Sequence, residues 1–390
     1  MSRFNQVIDR MNTRSVKWDL TESLFKNDQV LPMWVADMDF QTPKAVTDAI
    51  AERAAHGIFG YTITDEKIHQ SIQNWLSTQH DWDIDTKWLS FSPGVVPSLH
   101  TMIEALTDKE DPILIQTPVY PPFYDVIKKH ERTIVKNPLQ QQDGKYEIDF
   151  NDFEEKLKQG VKAFILCNPH NPVGRVWTKE ELQKMADLCL KHDVLIFSDE
   201  IHADLVFPGH KHIPIASLSD DIAEATITCL SPTKTFNLAG LQVSYIVTPN
   251  AGYRKKINDQ FGLQGIKMLN TLGITALEAA YDHGDEWLEE LIGVLDDHKK
   301  YLIDTIHSHT DKVQVVEPEG TYLVWLDCRG LGLSHEELKT FMQEKAKVGL
   351  NDGASFGEEG EGFMRINIAC PRPILEDGVH RILEAIDSKE

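Results

Sequence analysis

The chain has 390 residues, with 39 Lys and Arg against 61 Asp and Glu, a net charge of −22. Its 41% hydrophobic and 26% charged residues are ordinary for a globular protein and exclude a disordered, collagen-like or disulfide-scaffold chain. Two to three domains are expected at roughly 150 residues each, and so acidic a chain repels nucleic-acid backbones and anionic lipid.

Residues 1–30 are polar and mixed, without a period, and are expected to form an arm held by something else, such as another subunit. From about 43 to 280 apolar runs alternate with amphipathic stretches. The runs 112–116, 163–167, 194–198, 226–230 and 243–247 are short and rich in β-branched residues. Such runs suit strands buried on both faces of a largely parallel sheet. Between two of them, Leu182, Met185, Ala186, Cys189 and Leu190 fall on one face of a helix over 178–192, and Thr178 with Glu181 spells a capping box at its start. Strand, helix, strand implies a right-handed crossover and an α/β fold. Residues 285–308 read as one long amphipathic helix. Strands at 313–316, 322–326 and 364–368, a helix opened by Ser334 and Glu337, and a final helix make an α+β tail. The acidic, glycine-rich run 357–362 is expected to be a flexible loop. The domains expected are an arm with part of a small domain (1–42), a large domain (43–284) and a small C-terminal domain (285–390).

Five cysteines, at 167, 189, 229, 328 and 370, include no C-x-x-C pair. They read as reduced thiols in a cytoplasmic protein rather than a disulfide framework or zinc site. The first residues lack an apolar segment and no run of 18 apolar residues occurs, so neither secretion nor a membrane span is expected. His210 and His212 flank Lys211 in what reads as a solvated loop, and no metal site is expected.

Three segments carry chemistry together. Lys234 lies just beyond an apolar strand, in a Ser/Thr- and Gly-rich turn. Alone it reads as a surface lysine; buried there, it would have a lowered pKa and be able to form a Schiff base. Asp199 stands at the carboxyl end of the strand 194–198, where α/β proteins bind ligands. It serves there either as a helix cap or as the partner of a protonated ring nitrogen. Asn168 and Asn171, with two prolines and Gly174, form a turn after another strand, and their amides can equally donate to a ligand oxygen.

The order Asn, Asp, Lys, each behind a strand, resembles the fold-type-I pyridoxal-phosphate enzymes, the aminotransferase-like family, from about residue 30 to 385. The resemblance implies pyridoxal 5'-phosphate (PLP) as cofactor. It implies a large PLP-binding domain around a mainly parallel, seven-stranded type of sheet, with a smaller α+β domain beside it. Lys234 becomes the Schiff-base lysine, Asp199 the partner of the pyridine nitrogen and Asn171 the donor to the cofactor's 3'-oxygen. Gly94, Val95 and Val96, in a turn opening a helix, inherit the phosphate cradle, for which a helix N-terminus is suited. Ser231 matches a further phosphate contact and Tyr120 an aromatic over the ring. Tyr61 matches a tyrosine reaching the neighbouring subunit's phosphate and substrate, which implies a homodimer with shared active sites. Arg365 matches the arginine that grips the substrate α-carboxylate, its guanidinium offering two parallel donors; a structural salt bridge is the alternative. His202 stands where the family often has Tyr, and Gln242 where it often has Arg.

The stretch Trp34 to Phe40, with Asp199, His202 and Asp204, is similar to the bacterial C–S lyase branch, which includes cystathionine β-lyases. That likeness puts Ala36 in the substrate pocket, its backbone presented to the carboxylate. It implies cleavage of L-cystathionine or a related cysteine S-conjugate to a thiol (homocysteine), pyruvate and ammonia, as in methionine biosynthesis. His202 is expected to donate to the cofactor's 3'-oxygen or to a water near it. Two other readings stay open: an aminotransferase, which needs the same Lys, Asp and Arg, and a regulatory protein that binds a transcription factor.

Overall fold

The computed structural model describes residues 3–142 and 144–389. Seven strands form the central sheet: β1 (Leu89–Ser92), β2 (Pro112–Thr117), β3 (Thr133–Pro138), β4 (Ala163–Cys167), β5 (Leu195–Asp199), β6 (Thr226–Leu230) and β7 (Ser244–Val247). Their order is β1-β7-β6-β5-β4-β2-β3, and only β7 runs against its two neighbours. The five apolar runs of the sequence are all strands of this sheet. Strands β4, β5 and β6 are almost wholly buried, because helices cover both faces.

One face packs against Leu99, Met102, Phe123, Ile257 and Phe261, the other against Phe153, Leu182 and Met185. Each such side chain stabilises the fold by about 1.5–3 kcal/mol on burial. The helix Lys179–Lys191 opens with the reciprocal Thr178–Glu181 capping box. Register sets Cys167 beside Asp199 and Asp199 beside Cys229, in one row at the carboxyl edge. The turns after β1, β2, β4, β5 and β6 gather at that edge.

The C-terminal part holds a second, antiparallel sheet, in the order Gln314–Val316, Leu323–Asp327, Phe363–Asn367, Asn351–Asp352. The long helix Asp285–His309 and the last helix Arg372–Asp387 pack against each other beside it. Trp325 and Phe363 of this sheet join the core under the central sheet, and the Trp325 indole donates to the Tyr146 hydroxyl at 3.2 Å.

Three expectations change. The first residues are not held by another subunit alone. They form the short helices Val16–Asp19 and Thr21–Phe25, and Phe4 is buried between Phe40 and Trp287. Lys17, only 1% exposed, donates to Asp39 at 2.6 Å, and Leu31–Pro32 pairs in parallel with Val348–Gly349. Residues 357–362 are not a free loop. Glu358–Gly360 forms a tight turn in which a Cβ on Gly360 would collide with the Gly353 carbonyl. The adjoining Phe356 carbonyl takes the Val119 N–H and the Tyr124 hydroxyl. His212 is buried rather than solvated, because the buried Glu200 carboxylate needs a partner and takes it at 2.8 Å.

Candidate active site

The carboxyl edge of the central sheet encloses a cavity of about 280 Å³. Ala36, Gly94, Val95, Val96, Tyr120, Asn171, Asp199, His202 and Lys234 all line it, as do Thr233, Gln242 and Cys167. Residues more than 190 positions apart thus meet where parallel strands end, the usual ligand edge of an α/β sheet.

Lys234 sits on the short helix Pro232–Thr235, just after β6. Its Nζ donates to the Ala36 carbonyl at 2.5 Å, and the Tyr322 hydroxyl donates to the same oxygen at 2.9 Å. Burial, aided by the Arg365 guanidinium, lowers the lysine to about 8, against the pull of Asp37 and Asp199. Asp199 moves the other way. Burial raises it to about 7, although the Ile201 N–H donates to it at 3.1 Å and Lys234 opposes the rise. A carboxylate so placed gains from a cation brought into the cavity.

Arg365 projects from the strand Phe363–Asn367 and is 4% exposed. Its donors go to neutral oxygens: the Asn171 side chain at 2.9 Å, the Trp34 carbonyl at 3.2 Å and the Asn351 side chain. Among the described residues no carboxylate pairs with it, and its Nε is buried without a partner. Burial lowers it to about 10. The salt-bridge alternative therefore falls away, and a carboxylate entering the site has a buried guanidinium to meet. Asn171 accepts from that guanidinium through Oδ1, which leaves its NH₂ as a donor for the cavity.

Gly94 caps the 12-residue helix Val95–Leu106, whose first N–H groups have no partner within the helix. They give the cavity an anion-binding end. His202 is buried, with no partner on Nδ1. Burial, then Lys234 and Arg365, hold it well below the usual histidine range, so the ring is neutral at physiological pH.

Sequence comparison agrees with this geometry: residues 28–382 match the aminotransferase class I and II family. The chain belongs to that family. Cystathionine beta-lyase PatB of Bacillus subtilis strain 168 is 46% identical over 384 residues, covering 98% of this chain and 99% of PatB. The structure of cystalysin from Treponema denticola, which contains a pyridoxal 5'-phosphate cofactor, matches with a TM-score of 0.97 at 36% identity and 100% coverage of both chains. The PLP-bound C–S lyase from Staphylococcus hominis matches with a TM-score of 0.92 at 34% identity, covering 99% of this chain and 98% of that one.

Three residues read from the family pattern are not on the wall of this cavity in this aminotransferase-family chain: Arg365, which stands behind Asn171, and Ser231 and Tyr61, which lie apart from it. The Ser231 hydroxyl is spent on the Val243 carbonyl at 2.7 Å and on the Thr233 N–H at 3.1 Å. Thr233 stands on the cavity wall in its place. The Ser/Thr-rich turn signalled a hydroxyl there, but not which one, because capping a four-residue helix claims the first. Tyr61 is 94% exposed and does not line this cavity. Sequence reasoning also missed Tyr322 and Asn237. The Asn237 amide donates to the Met38 and Phe40 carbonyls, both at 2.9 Å, and so holds the segment that presents Ala36. Neither residue had a motif to mark it. Gln242, in left-handed backbone with φ 50°, brings an uncharged side chain to the wall where the family often has a cation.

Proposed function

We infer that this protein is a PLP-dependent carbon–sulfur β-lyase. On this reading it cleaves L-cystathionine or a related cysteine S-conjugate, with water, to homocysteine or another thiol, pyruvate and ammonia. The observation that carries the PLP chemistry is the meeting of a buried lysine near pKa 8, a buried unpaired aspartate and a buried arginine without a carboxylate, which an aminotransferase would share. The named β-lyases among its relatives support the choice of reaction.

The residues present fit PLP. Asp199 would hold the ring nitrogen, since a protonated ring supplies the cation its buried carboxylate lacks. Val95, Val96, Thr233 and Gln242 would take the phosphate, Asn171 and His202 the 3'-oxygen, and Tyr120 the ring face. Lys234 would carry the covalent link. When bound, PLP supplies an electron sink for charge developed at the substrate Cα. The chain's own part is proton handling and orientation. Arg365 grips the α-carboxylate and so fixes which Cα bond faces Lys234. Lys234, released to its neutral form, takes the Cα proton. The Ala36 carbonyl aims the Nζ while it waits.

The reading includes a homodimer. Tyr61 and its neighbours Ile58, Phe59 and Ile63 are all more than half exposed, an apolar segment that a second copy would cover. In that dimer Tyr61 reaches the partner's site. It also includes a large domain over 43–284 with 1–42 joined to 285–390, and a cytoplasmic location suited to five buried, unpaired thiols.

Pyruvate release from L-cystathionine by PLP-loaded protein, with no keto acid added, tests the activity. Pyruvate and free thiol in equal amounts are expected. Turnover that starts only when a keto acid is supplied would move the protein to the aminotransferases.

A further inference from the structure

Lys234 closes two cavities, not one. Beyond the 280 Å³ chamber lies a second of about 590 Å³, and Lys234, Ala36 and Ala239 belong to the walls of both. The inner chamber is near the lower end of the roughly 300–1,000 Å³ typical of small-molecule sites. It suits one cofactor-sized molecule, so a long substrate side chain bound at Lys234 needs the outer space. That space runs between the segment 35–41 and residues 8–16 of the N-terminal arm.

The ions of the arm beside this cavity are mostly paired. Arg10 is committed to Asp37 at 2.8 Å and Asp39 at 2.6 Å, and Lys17 to Asp39 at 2.6 Å, so two cations face two carboxylates. The Asp19 carboxylate of the same arm is taken by the Asn12 and Ser15 N–H groups, at 2.7 and 2.9 Å. Arg14 is left over: it lines the outer cavity and has no ion-pair or hydrogen-bond partner among the described residues. Its backbone lies in the left-handed region, φ 64°, where Asn or Gly sits at less cost. The side chain there is a long, exposed cation on the wall of the outer cavity, beside the paired ions of the arm.

We propose that the outer cavity is the subsite for the far end of the substrate and that Arg14 binds an anionic group there. The substrate class is then a cysteine thioether whose sulfur substituent ends in a carboxylate, as in L-cystathionine. This rests on the β-lyase reading and narrows it: Arg365 takes the near carboxylate and Arg14 the distal one. Arg14 determines specificity without touching the reacting atoms.

The test compares L-cystathionine with S-butyl-L-cysteine, which has a side chain of similar length and no distal charge. Arg14→Gln is expected to lower the ratio of their kcat/KM values about tenfold, the size of a charge-assisted hydrogen bond of about 1.5 kcal/mol. Arg14→Lys is expected to restore part of that ratio. An unchanged ratio in Arg14→Gln, in protein with the parent's melting temperature, overturns the proposal. If the parent releases pyruvate from neither thioether, the β-lyase reading fails. Calorimetric Kd values for the same two compounds then decide the subsite by the same tenfold criterion.

Discussion

At the carboxyl edge of the central sheet, burial pushes each charged group toward its neutral form: Lys234 down to about 8, Asp199 up to about 7, Arg365 down to about 10. In the N-terminal segment, a few residues away in space, Arg10 is pushed the other way, further from neutrality, by Asp37 and Asp39 despite its burial. The difference is one of pairing. Arg10 and Lys17 of the arm are satisfied by Asp37 and Asp39 and hold the segment 34–40 in place. The ions at the sheet edge are left unmatched, which is costly in an empty site and useful once a ligand brings the missing charges.

Substitutions on the two sides should therefore fail differently. The largest effect is expected from Lys234→Ala, which removes base and covalent anchor together. Pyruvate release should fall by about 10³-fold or more while the fold persists. In the cofactor-free protein, a lysine with lowered pKa loses its proton more readily, so the neutral amine that must form the covalent link grows as pH rises through about 8, and the rate of PLP uptake should climb over that range. A flat profile from pH 6.5 to 9 would detach Lys234 from the rate. On the arm side, Asp39→Asn takes the close carboxylate from buried Lys17, leaves Arg10 with Asp37 alone, and should cost about 3–5 kcal/mol of stability, read from a urea midpoint. A loss below 1 kcal/mol would mean that the arm is held by packing alone. Arg365→Gln should lower kcat/KM by on the order of 10- to 100-fold, mainly through KM, because the lost contact is to the bound carboxylate. The smallest effect is expected from Ser231→Ala. As a helix cap it should cost about 1 kcal/mol and leave the affinity for PLP near the parent's. A tenfold weaker cofactor would return Ser231 to the phosphate site.

Much of the site was legible because it is built from strand ends. Apolar runs of four to six residues announce buried strands, and the polar residue that follows each run stands at one edge of the sheet. Asn171, Asp199 and Lys234 were legible in this way, and so were the turn at Gly94 and the two capping boxes, since caps and strand runs are local signals. The fold class followed from the same alternation.

Choice of partner was decided only in three dimensions. No local pattern marks Lys17 for burial against Asp39, and His212 reads as a loop histidine until Glu200 is placed beside it. Ser231 and Thr233 are equivalent in a string of hydroxyl residues, and only the helix they cap and the wall they face tell them apart. Arg365 has no carboxylate beside it because Asn171 and Asn351, 194 and 14 positions away, stand where a carboxylate would pair. The sequence by itself determined which chemistry lies at each strand end, because backbone pattern is local. The tertiary structure decided which charges are matched and which are left for a ligand, because pairing depends on contacts between segments far apart in the chain.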